Sequence, residues 1–161
     1  MGMFEDERVE LLRGALVAMT PQKPPHASTV AALGKLFERS LGDRGVVRQH
    51  SPLALSEDSE PEPDIALVPL GDYSKEHPTT AFLVIEVADS SLRKDREVKA
   101  AVYAEAKIAE YWIVNLVDRV LEVYRGPKDG RYGSVTNLRA GADVSLVAFP
   151  DVMLPVNAIV S

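Results

Sequence analysis

Two acids occupy places where apolar strands leave little room for charge. Asp64 opens the run "DIALV" (64–68), and Glu86 interrupts "FLVIEV" (82–87) between Ile85 and Val87. Burying an unpaired carboxylate costs several kcal/mol, so each acid needs a partner or solvent. Suppose the two strands pair antiparallel across the polar loop 69–81, with Val68 opposite Phe82. Asp64 then falls opposite Glu86, on the face that carries Ala66, Val68, Phe82 and Val84. Directly opposed residues have Cβ atoms about 4.5–5.5 Å apart. Two carboxylates at that distance repel, and a divalent cation relieves the repulsion. Mg²⁺ is commonly held by one or two carboxylates completed by water and a substrate phosphate. The alternative is a Glu86 at a solvent-facing edge, or one paired with Arg93, Lys94 or Lys99.

A second constellation follows the strands. Ser90 or Ser91 can cap a helix predicted over Leu92–Lys107, and within it Asp95, Lys99 and Tyr103 recur at i, i+4 and i+8. In an α-helix these residues share one slowly drifting stripe. That stripe can face the two carboxylates, with Tyr103 bracing Lys99. Lys94 and Arg96 lie about 100° to either side of Asp95. The alternative is an exposed Asp–Lys pair worth about 0.3–0.5 kcal/mol. "SLRKDREVK" (91–99) holds two Arg and two Lys, which form either a local basic rim or a solvated helix face.

The elements that must position these residues form a mixed pattern. Residues 3–13 suggest a helical turn leading into the strand "ALVAM" (15–19). Val30, Leu33, Leu36, Phe37 and Leu41 predict a helix over 26–42, with Ser28 or Thr29 as cap and Gly42 as its end. "VVRQHSPLAL" (46–55) reads as one bent strand or two short ones, and "SEDSEPEPD" (56–64) as an acidic turn. Strands follow at 64–68, 82–87, 110–115, 120–125, 132–138 and 143–149, with a hairpin turn at 115–118 and a looser one at 126–133. This predicts an α/β fold over residues 1–161 as a single domain: a central mixed β-sheet flanked by helices, with a C-terminal β meander.

Composition narrows the chemistry. The chain has 161 residues, no cysteine and a formal net charge of −6. Without cysteine there is no disulfide, thiolate metal site or Cys nucleophile, which suits a cytoplasmic protein. The acidic balance opposes a broad basic nucleic-acid surface but suits a cation site. No apolar run approaches the ~18 residues of a membrane span, and the acidic start "MGMFEDERVELLRG" lacks the apolar segment of a secretory signal.

The blocks "PEPDIALV", "LVIEVADSSLRKDREVKAAVYAEAKIAEYWIVN" and "VLEVYR" resemble the Uma2 family (DUF820) of PD-(D/E)XK, restriction-endonuclease-like nucleases. The residues carrying the resemblance are Pro63-Asp64, Glu86-Val87, Asp95, Lys99, Tyr103 and Glu110-Tyr111-Trp112. "VELLRGALVAM" and His26 are similar to the family's N-terminal block and to its His after a Pro-containing loop. The resemblance implies a Mg²⁺- or Mn²⁺-dependent endonuclease acting on DNA and self-associating, with a homodimer as the expected assembly. It implies Asp64 and Glu86 as metal ligands with the Val87 carbonyl, and Lys99 as the catalytic lysine. Asp95, Tyr103, Glu10 and His26 would support them, and Arg93 and Lys94 would contact DNA. Two departures bear on activity. The lysine expected two residues after the Glu is Ala88, and the family's Asp-Gly-Glu near the start reads Arg13-Gly14-Ala15. They leave open a second class of function, a catalytically degenerate nuclease fold that binds nucleic acid or a protein, and a third, a fold kept for assembly alone.

Overall fold

The computed structural model describes residues 8–160. Its centre is a six-stranded sheet in the order β3-β4-β5-β6-β7-β8: β3 (Val46–Gln49), β4 (Ile65–Val68), β5 (Leu83–Ala88), β6 (Glu110–Asn115), β7 (Val120–Lys128) and β8 (Arg131–Leu138). Only the β5–β6 pair is parallel, because only there does a helical crossover join the strands; the others are antiparallel. The sheet is buried on two faces. On one, Ile65, Leu67, Leu83, Ile85, Val87, Trp112 and Val114 pack against helix α1 (Pro24–Leu41). On the other, Ala66, Val68, Val84, Ala88, Tyr111 and Ile113 pack against the crossover helix. This two-sided burial explains why β4, β5 and β6 read as continuous apolar runs.

Several elements differ from the sequence expectation for identifiable reasons. Residues 9–12 form a strand, β1 (Val9–Leu12), paired with β2 (Ala15–Ala18) in a separate hairpin; positions 3–7 of the expected helical turn lie outside the described residues. Helix α1 starts at Pro24, two residues before the expected 26, because a proline in the first turn loses no intrahelical bond and brings a preset φ. Ser28 and Thr29 therefore lie inside the helix, and Thr29 Oγ1 donates to the Pro25 carbonyl at 2.8 Å. The helix stops at Gly42 (φ 57°) as expected. Strand β3 ends at Gln49, because His50 turns the chain at φ 50°. The expected loose turn at 126–133 is a tight one: β7 and β8 run to Lys128 and from Arg131, joined by Asp129 and Gly130 at φ 54° and 74°. An Asp-Gly pair with two positive φ values suits the twist of a two-residue hairpin. Strands β6–β8 make the meander, whereas β9 (Asp143–Ser145) leaves the main sheet and pairs with β10 (Met153–Pro155).

The crossover is a helix with one wide turn. Segments α2 (Leu92–Lys94) and α3 (Ala100–Glu105) flank a π turn at Asp95–Lys99, in which the Ala100 amide donates to the Asp95 carbonyl five residues back. It ends at Glu105 rather than Lys107, which takes φ 60°. Arg96, in the π turn, reaches β7 and makes a forked pair with buried Glu122 (Nη2–Oε2 2.6 Å). Burial raises the Glu122 pKa, and hydrogen bonds from Arg96, Asn115 and Tyr124 outweigh it, leaving the carboxyl below its usual range. A depressed carboxyl contributes stability above its ordinary pKa and loses it as pH falls through the folded value. Arg96→Ala is expected to destabilise the fold by about 1–3 kcal/mol at neutral pH. The gap from wild type should close in melts run below pH 4.5, the ordinary value for this group; a gap independent of pH would refute the ion-pair account.

Candidate functional site

The ends of β4 and β5 meet as the loop parity requires. Ile65 pairs with Ile85, Ala66 with Val84 and Leu67 with Leu83, and the same register carried one step further sets Asp64 against Glu86. Asp64 stands just before β4 and is locked to the neighbouring chain by two bonds. The Val87 amide donates to Asp64 Oδ2 at 2.7 Å, and the Asp64 amide donates to Glu86 Oε1 at 3.3 Å. The two carboxylates are nearly sealed, at 6% and 4% exposure.

The lysine arrives from the helix. Lys99 is 1% exposed, forms an ion pair with Glu86 Oε2 and donates to Glu10 Oε1 at 2.6 Å. Tyr103, one α-turn further on, donates its hydroxyl to Glu86 Oε2 at 2.8 Å. Its ring lies 5.6 Å from the Lys99 ammonium, so it braces Glu86 directly and Lys99 by packing. Asp95 is also buried and accepts from Ser91 Oγ at 2.8 Å. The expectation that Asp95, Lys99 and Tyr103 turn inward together is met, although the π turn replaces the regular α spacing between the first two.

The β1–β2 hairpin closes the other side. Glu10, on β1, is 2% exposed; besides Lys99 it receives Lys94 Nζ at 3.4 Å and the Glu62 amide at 3.1 Å. Glu10, Asp64, Glu86, Lys94 and Lys99 line a pocket of about 620 Å³ together with Arg8, Lys23, His26, Val87, Asp95 and others. Arg93 is not brought to it. Its side chain is 89% exposed and pairs along the helix with Glu97 at 3.2 Å, as a solvated helix face would. Trp112 belongs to the core, tilted against Phe37 with its indole N–H on Glu110 Oε2 at 2.8 Å.

Two histidines face Asp64. His26, in the first turn of α1, places Nε2 3.1 Å from Asp64 Oδ2, and His50 places Nδ1 3.6 Å from Oδ1. Burial works against a charged His26 ring, and the neighbouring Asp64 more than offsets it, raising its pKa; for His50 burial prevails and the pKa is lowered. The sequence pointed to His26 through its resemblance. His50 had no local signal, because it reaches Asp64 only through the backbone turn that ends β3.

The electrostatics are unbalanced toward negative charge. Four buried carboxylates (Glu10, Asp64, Glu86 and Asp95) face one buried ammonium, Lys99, while Asp89, Arg8, Lys23 and Lys94 line the more open part of the pocket. Burial pushes Glu86 up to about 8, against the pull of Lys99, and pushes Asp95 up to about 6. Burial would lower Lys99, but Glu86, Glu10 and Asp95 together raise it, so it stays charged. A dication supplies the positive charge this set lacks, and the oxygen donors of Asp64 and Glu86 suit Mg²⁺ or Mn²⁺. Among the described residues no three His, Cys, Asp or Glu side chains converge as a ready metal cluster. No helix among them is long and apolar enough to cross a membrane.

A solved structure with a similar fold is described as the "crystal structure of a putative nuclease belonging to DUF820 from Anabaena variabilis ATCC 29413". It superposes with a TM-score of 0.75 at 12% identity, over 94% of this chain and 88% of that one. No curated protein matches the sequence. The family described as "Uma2: Putative restriction endonuclease" matches residues 3–157, and over that span, which includes every residue of the pocket, the chain belongs to the Uma2 family.

Proposed function

We propose that the protein is a divalent-metal-dependent endonuclease that hydrolyses phosphodiester bonds in DNA. The observation that supports this reading is the convergence of Asp64, Glu86 and the buried Lys99 in one pocket whose buried carboxylates outnumber its buried cation. Asp64 and Glu86 would hold Mg²⁺ or Mn²⁺, with the Val87 carbonyl as a further oxygen. Such an ion, when bound, activates water and neutralises charge on phosphoryl oxygens. Lys99 places an ammonium where charge develops on the phosphate, preset by Glu10 and needing no reorganisation. Tyr103 fixes the Glu86 carboxylate. Lys94, at the pocket wall, is placed to meet a backbone phosphate, and Arg93, further out, to add a weaker and more salt-sensitive contact.

Nicking of supercoiled plasmid tests the reading. Cleavage with Mg²⁺ or Mn²⁺, its loss in chelator and its loss in Asp64→Asn are the expected results. Intact plasmid and intact single-stranded DNA under every metal would overturn it. A second reading, a non-catalytic binding module, draws on the engagement of Glu86 by Lys99, Tyr103 and the Asp64 amide, which holds the site together without metal. Binding of DNA or a protein partner with no metal requirement and no cleavage is the outcome that favours it.

The assembly proposed for this cytoplasmic enzyme is a C2 homodimer, which would present two pockets to two strands. Strand β8 supports it: it is the outer strand of the sheet, eight residues long and largely exposed, with Val135 at 53%. An open edge of that length invites pairing or covering. Light scattering at micromolar concentration should give twice the chain mass; monomer alone would refute it.

A further inference from the structure

His26 holds a buried nitrogen with no aligned hydrogen-bond partner. Its Nε2 is buried and has no hydrogen-bond partner among the described residues, although Asp64 Oδ2 stands only 3.1 Å away. The approach is close enough for a bond and too poorly aligned to make one. A buried polar atom left in that condition costs free energy unless something else completes it. His50, the other histidine beside Asp64, is not in the same position, because Gln22 Nε2 lies 3.0 and 3.1 Å from its two ring nitrogens.

We infer that His26 is a nitrogen ligand of the cation proposed at Asp64 and Glu86, and that it turns the site toward first-row transition-metal ions such as Mn²⁺ and away from Mg²⁺. This rests on the metal-dependent reading of the same pocket. The spacing agrees with it. Adjacent ligands of an octahedral ion held at about 2.1 Å are about 3.0 Å apart, close to the separation of this pair. The chain holds this nitrogen beside Asp64, and a small side-chain adjustment must bring it onto one ion with Asp64 and Glu86, because the three do not yet converge as a ready cluster. Pro24 and Pro25 set the first turn of α1, and Val30, Leu33 and Phe37 anchor the helix in the core. The donor decides the selectivity. Mg²⁺ takes oxygen ligands and gives up water reluctantly, whereas imidazole nitrogen is a ligand for transition-metal ions.

The competing account is an ion pair in which a protonated His26 answers Asp64 and offers no nitrogen to a metal. Pulsed electron paramagnetic resonance on the full chain loaded with Mn²⁺ separates the two. A ¹⁴N coupling to Mn²⁺ is expected in wild type and in His50→Gln, and should vanish in His26→Gln. Labelling the histidines of the wild-type protein with ¹⁵N should change that coupling accordingly, which needs no substitution and no refolded variant. In calorimetry, His26→Gln should weaken Mn²⁺ by at least the ~10-fold seen for outer-sphere partners. Mg²⁺, which seeks oxygen, should change by less than about threefold. A wild-type Mn²⁺ complex with no nitrogen coupling, a coupling that survives in His26→Gln, or equal weakening of the two ions would overturn the inference. The underlying metal site fails separately, if wild type binds no Mn²⁺ or if Asp64→Asn binds it unchanged.

Discussion

Lys99→Met is expected to lower the melting temperature of the metal-free protein by roughly 6–20 °C and to slow cleavage by about 10²–10³. The first figure follows from burial. Lys99 is 1% exposed and its ammonium is shared by Glu10, at 2.6 Å, and Glu86. Removing one partner of a buried ion pair costs about 3–5 kcal/mol, because the other charge stays behind. Each kcal/mol shifts the midpoint of a domain this size by about 2–4 °C. The second figure is the usual loss when one preorganised group aimed at developing charge is deleted. Mn²⁺ separates the two losses. It can neutralise the stranded carboxylates and restore much of the melting temperature, but it does not replace an ammonium on the phosphate. Parallel melting curves and single-turnover cleavage, each with and without Mn²⁺, check this. A variant that melts and cleaves like wild type would remove Lys99 from the mechanism.

Asp64→Asn should instead spare the fold and lose the metal. Asp64 Oδ2 accepts the Val87 amide at 2.7 Å, and the amide oxygen of asparagine accepts equally well. The new NH₂, in the place of Oδ1, would face His50, whose neutral ring can accept it. The substitution also deletes one negative charge from a crowded group of four. The metal-free melting temperature should therefore hold or rise. Mn²⁺ affinity should fall by more than the ~10–100-fold that an outer-sphere partner costs, and cleavage should disappear. Glu86→Gln would be a less clean experiment. Both Glu86 oxygens accept hydrogen bonds, from the Asp64 amide and from Tyr103, and an amide group cannot accept on both ends. Equal Mn²⁺ affinity in wild type and Asp64→Asn by calorimetry would sink the assignment.

The register of Asp64 against Glu86 was legible because it depends on parity alone. Two short strands, one loop and a buried face leave few ways to pair, and a one-residue slip would turn every apolar side chain outward. Lys99 and Tyr103 were legible because a helix keeps its inward face over successive turns. Glu10 was not readable as the anchor of Lys99. The two are 89 positions apart, and their meeting depends on how the β1–β2 hairpin docks, through the Leu11–Glu60 bridge. His50 was hidden for a related reason. The pattern over 46–55 reads as one bent strand or two short ones and does not say where the bend falls; it falls at His50 (φ 50°), whose amide donates to the Asp64 carbonyl at 3.1 Å. Arg96 reads like one more rim cation and is in fact committed to Glu122.

The π turn at Asp95–Lys99 separates where a residue stands in the chain from where it stands in space. A π turn takes in one residue more than an α-turn and leaves the helix on either side in nearly the same phase. Deleting one position among Arg96, Glu97 and Val98 would therefore let the turn close into ordinary α-helix with Lys99 and Tyr103 still directed at the carboxylates. With every residue kept, a crossover wound as regular α-helix would instead carry Lys99 and Tyr103 round by the better part of a quarter-turn relative to Ser91 and Asp95. In this stretch of chain the wide turn, not the number of residues, keeps the ammonium in the pocket.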